Sequence, residues 1–137
     1  MVKQQKKGFP IGIDDFKTLI EGSYFVDKTK LIKEILDNYT IQVSLITRPR
    51  RFGKSLLLSM LRYFFTIEDA ENNRKLFCGL EIERSHSKYM DFQGKFPMIF
   101  FSLKGVKQQT FEMFIRKMRY YWQKFIQIFP ISGQVAY

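Results

Sequence analysis

The sequence contains a single cysteine and a single histidine, and these two scarcities exclude several kinds of site. Cys78 cannot form a disulfide within the chain, and no cysteine pair is available for a zinc site. His86 has no partner in a pattern typical of a metal site or a catalytic triad, so neither residue is assigned a role. Sparse cysteine predicts a reducing, cytoplasmic setting.

Long apolar runs are also missing. No run approaches the roughly 18 apolar residues that indicate a membrane span. Lys3, Lys6 and Lys7 lead into Gly8-Phe9-Pro10 rather than into an apolar segment, which predicts no secretory signal. We therefore expect no membrane among the partners of this chain.

Acidic residues are few, and their distribution is uneven. The 137 residues include 23 Lys and Arg but only 13 Asp and Glu, giving a formal net charge of +10. Residues 1–55 and 98–137 each carry a net +5, and Glu112 is the only acidic residue after Asp91. With 45% apolar residues, the composition is that of a globular domain.

Apolar periodicity predicts helices that alternate with two short strands. The predicted helices run from a cap at Asp14 or Asp15 to Glu21, from an Asp27 cap to near Asn38, from Lys54 to about Phe65, over a turn at Arg74–Phe77, and from a Thr110 cap to about Phe129. The apolar, largely β-branched or aromatic segments 41–47 and 97–103 predict buried strands. This alternation favours a parallel α/β sheet.

The segment Thr47-Arg-Pro-Arg-Arg-Phe-Gly-Lys-Ser55 lies between the first predicted strand and the third helix. Its last three residues match the end of the phosphate-binding loop G-x-x-x-x-G-K-[ST]. Gly53 would let the backbone approach phosphate oxygens, Lys54 would reach the β- and γ-phosphates, and Ser55 would hold magnesium. Arg48 stands where the general pattern has its first glycine.

The sequence resembles the predicted AAA-ATPase-like family of bacterial proteins, which often carry a nuclease-like C-terminal domain. The resemblance covers roughly residues 9–125. The matching segments are 10–16, 24–29, 47–55, 61–65, 76–80 and 94–104.

This resemblance implies an incomplete P-loop NTPase-type three-layer α/β fold, with a short parallel sheet and flanking helices. Residues 11–129 would be the N-terminal part of that domain, preceded by a flexible basic lead-in at 1–10 and followed by a tail at 130–137. It also implies binding of ATP and Mg²⁺. The implied nucleotide-binding residues are Pro49, Arg50, Arg51, Phe52, Gly53, Lys54, Ser55 and Leu56, with Ser55 on the metal.

No catalytic residue is assigned. Family members resemble full ATPases in which an apolar strand ends in Asp-Glu, and neither predicted strand here ends in an acid. We therefore expect this chain alone to bind ATP without hydrolysing it. The alternatives are a basic nucleic-acid-binding module, or a truncated remnant that depends on another polypeptide.

Three further features have two interpretations each. Asp27-Lys28-Thr29 is either close to the nucleotide or a helix cap. Ile13 and Phe16 either line an adenine pocket or pack in the core. The last helix, basic on one side and aromatic on the other, either binds nucleic acid or an anionic membrane, or packs on the sheet with its charges in water.

Overall fold

Helices are the regular elements of the part of the chain that the structure describes. The computed structural model describes residues 8–38, 40, 43–100 and 110–128. The chain divides into two compact units, residues 1–98 and 99–137. The helices of the first unit are α1 (Phe16–Gly22), α2 (Lys30–Asp37), α3 (Lys54–Phe65), α4 (Ala70–Lys75), α5 (Glu81–Ser85) and α6 (Ser87–Met90), and that of the second is α7 (Phe111–Ile128).

The prediction of a three-layer α/β fold with a short parallel sheet is wrong for the described residues. Residues 43–47 and 97–100, from the two predicted strands, belong to neither a helix nor a strand. Within the described part, β pairing is confined to two isolated parallel bridges, Gly8 with Ser23 and Thr66 with Phe96. A strand requires a neighbouring backbone to hydrogen-bond with, and no described segment supplies a ladder for either stretch. The remaining residues of the predicted strands, 41–42 and 101–103, lie outside the described residues, as do 1–7 of the lead-in and the tail at 130–137.

The predicted helices are confirmed more closely. Asp15 is the N-cap of α1, because its carboxylate accepts a hydrogen bond from the Thr18 backbone N–H at 3.0 Å. Helix α3 has the predicted bounds, Lys54–Phe65. The Thr110 hydroxyl accepts a bond from the Met113 N–H at 3.3 Å at the start of α7. The predicted turn after Arg74 is preceded by a full helix, α4, and ends at Gly79 in a left-handed conformation.

The core of the first unit is built on α3. The buried residues Leu57, Met60 and Phe64 recur at helical spacing, whereas Leu58 is 47% exposed, so α3 buries one face rather than most of its surface. Phe77 stacks on Phe16 with ring centroids 5.1 Å apart and meets Phe64 edge-on at 5.2 Å. Other members of this cluster are Ile32, Leu76, Ile82, Tyr89 and Met90.

The C-terminal end of α3 is held against residues 94–96 by backbone contacts. Gly94 N–H donates to the Phe64 carbonyl and Phe96 N–H to the Phe65 carbonyl, both at 2.9 Å. Gly94 has φ +70°, and a Cβ there would lie 2.5 Å from the Cβ of Ala70. Glycine is therefore required both by the conformation and by the close approach of α4.

Candidate functional site

The segment between Thr47 and the first turn of α3 is an exposed, basic loop. Pro49, Arg50 and Arg51 are exposed, and the Phe52 side chain is 61% exposed. Gly53, Lys54, Ser55 and Leu56 are half-buried where the loop enters the helix. Leu56 packs against the hydrophobic core, so the end of the loop is anchored while its tip faces solvent.

Lys54 closes this loop on itself. Its Nζ donates to the Pro49 carbonyl at 2.9 Å and to the Arg48 carbonyl. Lys54 is also the first residue of α3, and the Gly53 carbonyl already accepts the first helical bond, from the Leu57 N–H at 2.9 Å. The two ends of the segment 48–54 are thus tied together by one ammonium group.

The backbone of the loop alternates in the sign of φ. Arg51 has φ +67° and Gly53 has φ +72°, whereas Arg50 and Phe52 are not among the described residues with positive φ. In general, alternation of right- and left-handed conformations turns successive N–H groups toward one side and can form an anion-binding concavity. A left-handed conformation costs a non-glycine residue about 1–2 kcal/mol, so Arg51 is strained.

The positive charge of the loop has no carboxylate partner among the described residues. Arg48, Arg50 and Arg51 make no ion pair there, and the sequence has no acidic residue between Asp37 and Glu68. The helix dipole adds a partial positive charge at the start of α3. The loop therefore combines positive φ at Arg51 and Gly53, exposed arginines and a helix N-terminus.

A polar stripe runs along α3 from this loop. Ser55, Ser59 and Tyr63 are four residues apart and therefore share one face of the helix. The Ser59 hydroxyl accepts from the Phe16 backbone N–H at 3.0 Å and donates to Asp15 at 3.3 Å, and the Tyr63 hydroxyl donates to Asp15 at 3.1 Å. The start of α1 is thus fixed on the face of α3 that also carries Ser55.

The charge state of Asp15 follows from this network. Burial alone would raise the pKa of the Asp15 carboxyl, but the hydrogen bonds from Thr18, Tyr63 and Ser59 outweigh burial and lower it. Burial and the neighbouring Asp15 carboxylate raise the pKa of the Tyr63 hydroxyl. Sequence reasoning missed Ser59 and Tyr63, although polar residues at four-residue spacing on an otherwise apolar helix were the available signal.

The Asp27-Lys28-Thr29 segment has a structural role in joining α2 to α5. The Asp27 carboxylate accepts from the Thr29 N–H at 2.8 Å and from the Glu81 N–H at 2.7 Å, and the fully buried Thr29 hydroxyl accepts from the Ile82 N–H at 3.0 Å. Burial opposes ionisation of Asp27, but the hydrogen bonds from Thr29 and Glu81 together with the Arg84 charge lower the pKa of its carboxyl. Asp27 therefore caps α5, whereas the sequence had predicted a cap for α2.

Phe16 is a core residue, with none of its surface exposed and an edge-on contact with Phe25 at 5.4 Å. This agrees with the packing interpretation of the sequence, and Ile13 is half-buried. Among the described residues, no group of three His, Cys, Asp or Glu side chains is arranged to hold a metal ion. In that same part of the chain, no helix is both long enough and apolar enough to cross a membrane.

Comparison with known proteins assigns the chain to a family. The model of the family described as "Predicted AAA-ATPase" matches residues 10–135, so this chain belongs to the AAA-ATPase-like family. A curated relative, "Uncharacterized protein in vnfD 5'region" of Azotobacter chroococcum mcd 1, is 35% identical over 102 residues. That match covers 73% of this chain and 18% of the relative, so the chain spans about a fifth of the relative's length. No solved structure matches the chain.

Proposed function

We propose that this chain binds the phosphate groups of ATP in the loop that precedes α3, using residues 49–56. The observation that carries the proposal is the alternation of φ at Arg51 and Gly53 in a loop closed by Lys54. Such a backbone can present several N–H groups to one anion, and the three arginines of this loop have no carboxylate partner among the described residues. Membership of an ATPase-like family supports ATP as the nucleotide.

The roles of the side chains follow from their places in the loop. Lys54 would exchange its backbone carbonyl partners for phosphate oxygens, and Arg50 and Arg51 would add charge from the exposed tip. Magnesium bound to a nucleotide takes most of its ligands from phosphate and water. One hydroxyl from Ser55 therefore suffices to hold it on the protein side, and Ser55 is half-buried in the first turn of α3.

Titration of Mg²⁺-ATP into the full chain by calorimetry tests the proposal. Lys54→Ala removes a charge-assisted hydrogen-bond donor and is expected to weaken binding by at least about tenfold. Lys30→Ala is the matched control, because Lys30 is likewise the first residue of a helix, α2, and is exposed. Equal affinities of the two variants, or no heat with the unsubstituted chain, would refute the proposal.

The magnesium role is tested separately. Binding of ATP by the unsubstituted chain is expected to be tighter with Mg²⁺ than with EDTA, and Ser55→Ala should remove most of that difference. Ser87→Ala, at the first position of α6, is the control and should leave it intact. If Ser55→Ala keeps the full magnesium dependence, Ser55 does not hold the ion.

Nucleic acid remains the alternative ligand, because the exposed ring of Phe52 lies between the basic Arg51 and Lys54. Stacking on Phe52 together with phosphate contacts would bind a single strand without sequence preference. A gel-shift series in salt distinguishes the two functions, since affinity for nucleic acid falls steeply with salt. If Phe52→Ala abolishes a shift but leaves ATP binding unchanged, the loop serves both ligands.

A further inference from the structure

Helix α7 has a distribution of side chains that the proposed phosphate-binding loop does not explain. It is 18 residues long, about 27 Å, and is the only helix that the described residues of the second unit contain. The prediction that α7 packs on a sheet is left without its partner, because the described part of the chain has no sheet.

One face of α7 is apolar and rich in aromatic rings. At about 100° per residue, six side chains fall within a continuous arc of about 120°. They are Phe111, Phe114, Ile115, Met118, Tyr121 and Trp122. Phe111 and Phe114 stack with ring centroids 6.3 Å apart, and Phe111 and Trp122 are 72% and 61% exposed.

Basic residues stand on both borders of this apolar face. Viewed along the helix axis, Arg119 lies just beyond Trp122 and Ile115 at one edge of the apolar face. Lys117 lies just beyond Tyr121 at the other edge, about 160° around the helix from Arg119. Glu112, Arg116 and Gln123 lie on the opposite face, which also carries the exposed side chains of Met113 and Tyr120. The apolar arc is thus framed by cations that can extend away from it on long side chains.

We propose, against the expectation from the sequence that no membrane is among the partners, that α7 lies on an anionic lipid bilayer, with its apolar face in the acyl boundary and its border cations among the headgroups. A helix lying in the interface has headgroups along both of its sides, so both borders find anionic partners. Double-stranded nucleic acid, whose bases are already stacked on each other, would meet one side of the helix through its phosphates and leave the aromatic arc in water. A groove on another protein would bury the arc but would not account for cations on both borders.

The net positive charge of the sequence around α7 also favours binding to an anionic lipid surface. Residues 98–137 carry six basic side chains and one acidic side chain. Basic residues next to a membrane add to binding when the leaflet is anionic. Binding parallel to the surface needs no membrane-spanning segment, so it agrees with the finding that no described helix is long and apolar enough to cross.

The full chain carries its own probe for this interaction, because Trp122 is its only tryptophan. Its emission should shift to shorter wavelength with vesicles of phosphatidylcholine containing 30% phosphatidylserine, and the chain should float with them. Vesicles of phosphatidylcholine alone should give a much smaller shift. An unchanged emission on both kinds of vesicle, or equal shifts on both, overturns the proposal.

Two pairs of variants separate the faces of the helix. Ile115→Asp and Gln123→Asp each add one carboxylate, the first on the apolar face and the second on the opposite face. Only Ile115→Asp should lower the partition coefficient of the chain onto vesicles by about tenfold or more. Arg119→Gln, at the border, should lower this coefficient about fivefold, and Arg116→Gln, on the opposite face, should lower it less. Far-UV circular dichroism checks that each variant keeps its helix content.

Further outcomes distinguish vesicle binding by α7 from phosphate binding at the loop, from a general effect of charge and from DNA binding. Lys54→Ala should leave vesicle binding unchanged, so failure of the phosphate-binding proposal and failure of this one are distinguishable. If Gln123→Asp weakens vesicle binding as much as Ile115→Asp does, general charge accounts for it and the proposal is wrong. If the chain shifts DNA through α7 and ignores anionic vesicles, α7 is a nucleic-acid surface instead.

Discussion

Replacing Asp15 by alanine tests whether the contact between α1 and α3 holds the first unit together. The carboxylate caps α1 through the Thr18 N–H and accepts bonds from the Ser59 and Tyr63 hydroxyls on α3. Asp15→Ala removes all of these bonds at once. The α3 partners lie on the helix face that also carries Ser55, so the effect reaches the helix that begins in the candidate loop.

The expected loss can be assembled from the individual contacts. Removing an N-cap aspartate costs about 1 kcal/mol. A bond from a hydroxyl to a carboxylate contributes about 1.5 kcal/mol or more, and the 3.1 Å contact with Tyr63 is the stronger of the two made by α3, since that with Ser59 is 3.3 Å long. We expect Asp15→Ala to lower the free energy of unfolding by about 2–3 kcal/mol at pH 7.

Urea denaturation followed by circular dichroism measures this loss, with the exposed Glu34→Ala as a control that should change stability by less than about 0.5 kcal/mol. Tyr63→Phe completes a double-mutant cycle. Because Asp15 and Tyr63 contact each other directly, the cycle should give a coupling of about 1 kcal/mol. Losses that add without coupling, or an Asp15→Ala loss no larger than that of the control, would show that the network does not stabilise the fold.

Acid should weaken the unit through Asp27. Its pKa is lowered by folding, so its contribution is complete above the unfolded value of about 3.9 and is lost as the pH falls through the lower folded value. Asp27→Asn should therefore flatten the decline of stability below about pH 4. In urea titrations, Gly94→Ala should lower the free energy of unfolding by about 2–4 kcal/mol. Gly12 has φ +76° but no atom within 4 Å of an added Cβ, so Gly12→Ala should cost only the backbone strain of about 1–2 kcal/mol. Equal losses for the two variants would contradict the close approach at Gly94. Thermal unfolding should show Arg51→Gly to be at least about 1 kcal/mol more stable than Arg50→Gly, because only position 51 has positive φ; the reverse order would contradict the strain.

Helices were predictable here because their signals are local. The Asp15 cap, the run from Lys54 to Phe65 and the Thr110 cap can all be read within a few residues of each element. Strands are different, because the free energy of a strand depends on a neighbour that the segment itself does not encode. Residues 43–47 have the composition of a buried strand, yet Val43 and Leu45 are 82% and 85% exposed.

The candidate site likewise has local features that the sequence shows and contacts between distant residues that it does not show. The order Gly53-Lys54-Ser55 before a helix was visible in the sequence, and the family match over residues 10–135 agrees with the resemblance. The contacts of Asp15 with Ser59 and Tyr63 join residues more than 40 positions apart. Asp27 shows most clearly the limit of prediction from sequence. Its carboxylate caps the start of α5 by accepting a hydrogen bond from Glu81, 54 residues away, rather than capping the nearby α2.

Substitutions at residues 45 and 46 test whether these neighbouring side chains lie in different environments, as they would in the predicted strand. Ile46 is half-buried and packs against the core, whereas its neighbour Leu45 is 85% exposed, so one side chain of residues 43–47 faces inward although these residues form no strand. Leu45→Lys should change the free energy of unfolding by less than about 0.5 kcal/mol and reduce aggregation measured by light scattering, because it places a charge in an exposed apolar segment. Ile46→Lys, the same change one residue on, should cost about 2 kcal/mol or more, because it removes core contacts and forces an ammonium group toward the core. Equal costs for the two variants would mean that both side chains share one environment, and the inward packing of Ile46 would then be wrong.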